Sequence, residues 1–251
     1  MGNKRQQQAP GTVLVTGAAR RIGAAICRRL HTAGYAIALH YQSSQASAEQ
    51  LAAELNHLRE NSCQLYQADL AEAEALADLC QQLQSRPLAG LVNNAAVYYP
   101  LDTDQETLQH WDQVMNTNLR AAWYLCRQLQ PQLALTGGCI VNITDACSSS
   151  HSPGFTLYEL SKLGLTDLTR KLALEFAPAV RVNAVAPGAI LWPEQGPETD
   201  AGVQAQLIDG IPLQQLGQPE DIAEAVHFLM CQASYTTGQV LAIDGGRGLV
   251  N

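Results

Sequence analysis

The sequence predicts an α/β protein: a single Rossmann-type domain, a doubly wound parallel sheet with helices on both faces. Three observations point there. Short apolar runs rich in β-branched residues alternate with segments of helical periodicity from Thr12 to Gly246. A glycine-bearing turn follows the first apolar run directly. No linker rich in Pro, Gly or Ser divides the 251 residues, and no repeat of solenoid period interrupts them.

The elements follow in order. "TVLVTG" reads as a buried strand, and "RIGAAICRRLHTAG" as a helix that stops at Gly34. "YAIALHY" is a second strand, "ASAEQLAAELNHLRE" a helix and "SCQLYQADL" a third strand. "LADLCQQLQ" is a helix and "GLVNNAA" a fourth strand. One long helix runs through "LQHWDQVMNTNLRAAWYLCRQLQPQL", before "GCIVNIT" as a fifth strand. "LYELSKLGLTDLTRKLALEFA" is a long helix, "VRVNAVAPG" a sixth strand, "DIAEAVHFLM" a helix and "QVLAIDGG" a last strand. Strict alternation of this kind implies parallel strands joined by right-handed crossovers. The loosest region is "GAILWPEQGPETDAGVQAQ", with Pro193 and Pro197, read either as a plain connection or as a substrate lid over 190–210.

Composition narrows the function. Hydrophobic residues make up 47% and charged residues 15%, as in a soluble globular protein. A formal net charge of -8 without a basic run makes nucleic acid and membrane poor partners. Seven scattered cysteines without a CxxC pair read as free thiols in a reducing cytoplasm, and the six histidines show no metal spacing. Residues 1–10, polar throughout, read as a loose tail rather than a signal peptide, leaving 11–251 for the domain.

The turn "VTGAARRIGAAI" carries the first chemistry. Gly17 and Gly23 stand where a dinucleotide turn wants glycines, so that backbone N–H groups and the helix N-terminus can meet a pyrophosphate. Arg21 stands where a third glycine is expected, beside Arg20. At the end of the second strand, "LHYQSS" lacks the acid that would bind a ribose 2′-OH and repel a 2′-phosphate. NADPH is therefore the expected cofactor, with charge from Arg20 and hydrogen bonds from Ser43 and His40. Asp69 in "ADL" is expected to accept from the adenine amino group.

The second chemistry lies in "YELSK". Tyr158 and Lys162, four apart, are neighbours on one helix face. A lysine ammonium beside a phenol lowers the phenol pKa from about 10 and lets it act as an acid. The motif alone is common; its place on a long helix after the fifth strand, with "NNAA" at 93–96 and "NTNL" at 116–119, makes it informative.

Together these motifs resemble the short-chain dehydrogenase/reductase family from Thr12 to Gly246. The resemblance implies a homotetramer or homodimer and a proton relay of Tyr158, Lys162 and Asn118. It implies cofactor contacts from Ile22, Tyr41, Leu70, Asn94, Ala95, Pro187 and Gly188, and substrate contacts from Leu191 and Trp192. The family commonly places a serine thirteen residues before the tyrosine; here Asp145 stands there. Arg21 and Asp145 together, with "TGAARRIG", "LHY" and "NNAAVYYP", resemble the bacterial pteridine reductase subgroup. That implies Arg21 as a ligand of both pyrophosphate and pterin, Tyr98 as the aromatic that stacks the pterin, and Asp145 as a partner for its basic nitrogens. Two positions depart from the subgroup: Ala96 replaces a serine, and Ser43 replaces an arginine.

Three activities are compatible with these residues. The first is NADPH-dependent reduction of a dihydropterin or dihydrofolate, the proton coming from Tyr158 or from Asp145 with water. The second is reduction of a carbonyl or 3-oxoacyl thioester, against which Asp145 and Arg21 argue. The third is a non-catalytic NADP-binding protein, against which the intact Tyr158, Lys162 and Asn118 argue.

Overall fold

The computed structural model describes residues 11–84, 86–98, 106–146, 154–192 and 200–250. Its centre is a seven-stranded sheet, with strands β1 (Thr12–Val15), β2 (Ala36–Tyr41), β3 (Cys63–Gln67), β4 (Leu88–Asn93), β5 (Cys139–Ile143), β6 (Arg181–Pro187) and β7 (Val240–Ile243). All pairings are parallel, in the order β3-β2-β1-β4-β5-β6-β7. Helices cover both faces, so the central strands read as unbroken apolar runs. Val13, Leu14 and Val15 of β1 are fully buried.

The helices are α1 (Arg21–Thr32), α2 (Gln45–Leu58), α3 (Ala73–Leu83), α4 (Leu108–Met115), α5 (Ala121–Thr136), α6 (Thr156–Phe176), α7 (Ala201–Asp209) and α8 (Pro219–His227). Buried residues of α1, α2 and α8 form one core layer, and those of α3, α5 and α6 form the other. Alternation along β1 serves both: Val13 and Val15 face the first layer and Leu14 the second. The strand order reverses between β1 and β4, which opens a crevice beyond their carboxyl ends.

Two helical features differ from the sequence expectation. The predicted single helix after β4 is α4 and α5 joined by a π-helical turn, Asn116–Arg120. One extra residue per turn is invisible to a periodicity argument, and such turns concentrate at functional sites. The expected lid over 190–210 contains α7, whose N-cap Asp200 accepts from the N–H groups of Gly202 and Val203. The residues of α7 bury no side chain fully, so the apolar stripe that signals a helix is missing. The expected tail and residues 193–199 of the expected lid, with Pro193 and Pro197, lie outside the described residues. Among the described residues, no helix is long and apolar enough to cross a membrane.

Candidate active site

Four strand ends meet at the crevice. The turn after β1 is held by Thr16, whose Oγ1 accepts from the N–H groups of Asn94 (2.9 Å) and Ala95 (3.0 Å) and donates to Val92 O (3.4 Å). Asn94 Nδ2 returns hydrogen bonds to Thr16 O (2.8 Å) and Gly17 O (3.0 Å). Gly17 has φ +59°, and a Cβ there would lie 2.9 Å from Ala95 Cα. On Gly23 a Cβ would lie 2.3 Å from Gly17 O, so both positions demand glycine. The N-terminus of α1 has no side-chain cap and no acidic residue in its first turn. Free N–H groups, partial positive charge and two arginines suit an anion.

Arg21 holds a left-handed backbone, φ +53°. That is glycine's conformation, and it costs a residue with a Cβ roughly 1–2 kcal/mol. The guanidinium leaves the turn and donates to Trp192 O (3.4 Å) and Leu191 O (3.5 Å). It thereby links the turn after β1 to the segment after β6.

One expected ligand is corrected. His40 was expected to reach a 2′-phosphate, but it is 1% exposed and both ring nitrogens are engaged. Nδ1 accepts from Gly17 N–H (3.1 Å), so Nε2 carries the proton and donates to Ala68 O (3.1 Å). Burial pushes its pKa down to about 4, keeping the ring neutral. His40 braces the turn from behind instead of facing a ligand. Tyr41 and Leu70 are likewise buried, whereas Arg20 and Ser43 are exposed. Asp69 accepts from Gln42 Nε2 (2.8 Å) and Ala71 N–H (2.9 Å).

At the other side of the crevice, the β5–β6 ladder continues past β5. Thr144 N–H donates to Val185 O and Ala146 N–H to Pro187 O, each at 2.9 Å, which pins Asp145 between them. Tyr158, in the first turn of α6, donates its hydroxyl to Asp145 Oδ2 at 2.8 Å. Lys162 Nζ donates to Ile143 O (2.9 Å) and lies 5.6 Å from the Tyr158 ring centroid. Lys162 is 3% exposed; burial lowers its pKa to about 8, against the opposing pull of the Asp145 carboxylate.

Asn118 sits in the π-helical turn. It accepts from Val97 N–H (2.9 Å) and donates to Val97 O (3.1 Å) and Ser161 Oγ (3.1 Å). It thus fixes the backbone beside Tyr98 rather than touching Lys162. Tyr98 stacks on Phe155, with centroids 5.0 Å apart and planes at 18°, and meets Tyr158 edge-on at 4.8 Å.

A cavity of about 320 Å³ gathers Arg21, Ile22, Asn94, Ala96, Tyr98, Asp145, Tyr158, Lys162, Pro187, Gly188, Leu191 and Trp192. All were expected from the sequence. Phe155, Glu159 and Arg247 line it too and were missed. Phe155 falls three residues before Tyr158, a spacing that could have flagged it; Arg247 carries no local signal. Arg20, Ser43 and Asp69 do not line this cavity.

A family model described as Enoyl-(Acyl carrier protein) reductase matches residues 17–247. The chain is 34% identical over 240 residues to a 3-oxoacyl-[acyl-carrier-protein] reductase FabG of Staphylococcus aureus, covering 94% of this chain and 97% of that one. It is also 34% identical over 280 residues to Pteridine reductase 1 of Leishmania tarentolae, covering 94% and 96%. A blue fluorescent protein from a metagenomic library, solved in complex with NADPH, superposes with a TM-score of 0.87. It is 32% identical, with 96% of this chain and 99% of that one covered. Matches of this identity along nearly the whole length, on a seven-stranded parallel sheet with Tyr158 and Lys162 at its crevice, show that the chain belongs to the short-chain dehydrogenase/reductase family of oxidoreductases.

Proposed function

We propose that this protein reduces a pteridine with NADPH, taking a dihydropterin or dihydrofolate to its tetrahydro form. The hydrogen bond from Tyr158 to Asp145, on the same cavity as Arg21, carries this reading. An ionised carboxylate only accepts hydrogen bonds. It cannot support a ketone oxygen, and it would repel the negative charge that develops there on reduction. It suits the N–H-rich edge of an aminopyrimidine, as the Arg21 guanidinium suits ring carbonyl and nitrogen acceptors. Tyr98 and Phe155 add a flat aromatic wall.

The uncapped start of α1 and the close approach at Gly17 and Gly23 fit a pyrophosphate, and exposed Arg20 and Ser43 fit a 2′-phosphate. When bound, NADPH supplies the hydride to the carbon of a ring C=N bond. Tyr158 holds the proton for the nitrogen, on its hydrogen bond to Asp145. Losing that proton leaves a phenolate beside the Asp145 carboxylate, and the Lys162 ammonium, 5.6 Å from the ring centroid, offsets that repulsion. Asn118 keeps Tyr98 in place through Val97. Assembly as a homodimer or homotetramer belongs to the same reading; Trp123 on α5 and Leu160 and Leu163 on α6 leave apolar surface for it.

The FabG relatives favour a second reading, reduction of a 3-oxoacyl thioester. NADPH oxidation, followed with dihydropterins, dihydrofolate and an acetoacetyl thioester, separates the two. Turnover of the pterins supports the first reading; turnover of the thioester alone overturns it.

A further inference from the structure

Three cations line the cavity among the described residues: Arg21, Lys162 and Arg247. Two are committed. Lys162 is buried against Ile143 O, and Arg21 donates to the carbonyls of Leu191 and Trp192. The partly buried Arg247 has no hydrogen bond or ion pair from its guanidinium among the described residues. A guanidinium carries five N–H donors, which an anion in the cavity can engage.

Its backbone is held firmly. Asp244 Oδ1 accepts from Gly246 N–H (2.9 Å), Oδ2 from Gly248 N–H (2.8 Å), and Asp244 O from Arg247 N–H (3.2 Å). Gly245 (φ +64°) and Gly246 (φ +88°) allow the sharp reversal after β7 that delivers Arg247 to the cavity. A Cβ on Gly248 would lie 3.8 Å from Ala146 O, so this turn packs beside the segment that carries Asp145. It belongs to the Asp145 side of the crevice, not to the glycine turn where a pyrophosphate would lie.

We propose that Arg247 is a specificity-determining residue that receives an anionic group on the substrate's side chain, a carboxylate or a phosphate. The proposal rests on the pteridine reading. The reacting ring engages Asp145, Tyr158 and Arg21, and the substituent beyond it runs to Arg247, whose guanidinium has no carboxylate partner among the described residues. Glu159 and Asp145 line the same cavity and repel an anion elsewhere, which confines it to Arg247. Guanidinium binds either anion through paired N–H donors.

The test compares three substrates with the wild-type enzyme, Arg247→Gln and Arg247→Lys: a dihydropterin with a neutral polyol side chain, one with a phosphate ester on that chain, and dihydrofolate with its glutamate carboxylates. The ratio of kcat/KM for an anionic substrate over the neutral one should fall about tenfold or more in Arg247→Gln. The fall should lie mainly in KM, and Arg247→Lys should restore part of it. The wild-type ratio should shrink with added salt. A fall confined to dihydrofolate identifies a carboxylate, and one confined to the ester a phosphate. Ratios unchanged in Arg247→Gln, with all three pterins still reduced, overturn the role of Arg247 and leave the pteridine reading standing. Absence of turnover with every pterin by the wild-type enzyme overturns that reading, and this inference with it.

Discussion

The Tyr158 hydroxyl donates to the Asp145 carboxylate across 2.8 Å, tying the first turn of α6 to the end of β5. Tyr158→Phe keeps the ring and removes the proton. We expect kcat to fall about 10²–10⁴-fold with the NADPH Kd little changed. Wild-type turnover in Tyr158→Phe would assign the proton to Asp145 with water. Asp145→Ser should lower pterin kcat/KM about tenfold to more than a hundredfold, by losing a charge-assisted hydrogen bond. If it instead improves turnover of a 3-oxoacyl thioester and spares the pterin, the second reading is correct.

Arg21 carries backbone strain at φ +53°, so its replacement separates stability from function. Arg21→Gly relieves the left-handed conformation but loosens the unfolded chain by roughly 0.4–1 kcal/mol. The two effects nearly offset, and thermal unfolding should show a Tm no lower than wild type. Pterin kcat/KM should fall about tenfold or more, and NADPH affinity should fall less. A clear drop in Tm would show that Arg21 serves the fold, through Leu191 and Trp192.

Arg20 is exposed at the N-cap of α1, and with His40 assigned to the core it and Ser43 are the residues proposed for the 2′-phosphate. Arg20→Ala should raise KM for NADPH far more than KM for NADH. Steady-state kinetics with both cofactors decide it, and equal changes would remove Arg20 from 2′-phosphate recognition.

Lys162 titrates from ammonium to amine as pH rises through about 8, because burial disfavours its charge. If that charge stabilises a Tyr158 phenolate, kcat/KM should decline on the alkaline side of about pH 8. A pH–rate profile flat to pH 10 would show that the ammonium is not required.

His40 bears on acid stability. Its pKa is about 4 in the fold and near 6.5 in an unfolded chain, so the unfolded state takes up the proton first as pH falls. The stability it contributes is whole above about pH 6.5 and is lost between there and about pH 4. The loss is on the order of 3 kcal/mol. Denaturant midpoints of His40→Leu across that window should show a shallower acid decline than wild type; parallel curves would rule His40 out as the source.

What the sequence determined by itself is local. Alternation of apolar runs and helical stretches was enough for the parallel sheet, since strands buried on both faces need continuous Val, Ile and Leu. Gly17 and Gly23 were legible because only glycine fits there, and Tyr158 with Lys162 because four residues make one helical turn. Asp145 was legible as the residue in a serine's usual place, and Arg21 as an intruder among glycines. Tertiary structure decided whatever depends on partners far apart in the chain. It turned His40 inward, because Gly17 N–H and Ala68 O converge on its ring. It set Asn118 on Val97 through one π-helical turn, a change of a single residue that no hydrophobic period records. It placed Phe155 against Tyr98, and it delivered Arg247 from beyond the last strand to the cavity that holds Asp145. A periodicity reports the face a residue takes within its own element. Hydrogen bonds and charges that close a site join elements tens to hundreds of residues apart, and only the packed sheet brings those within 3 Å.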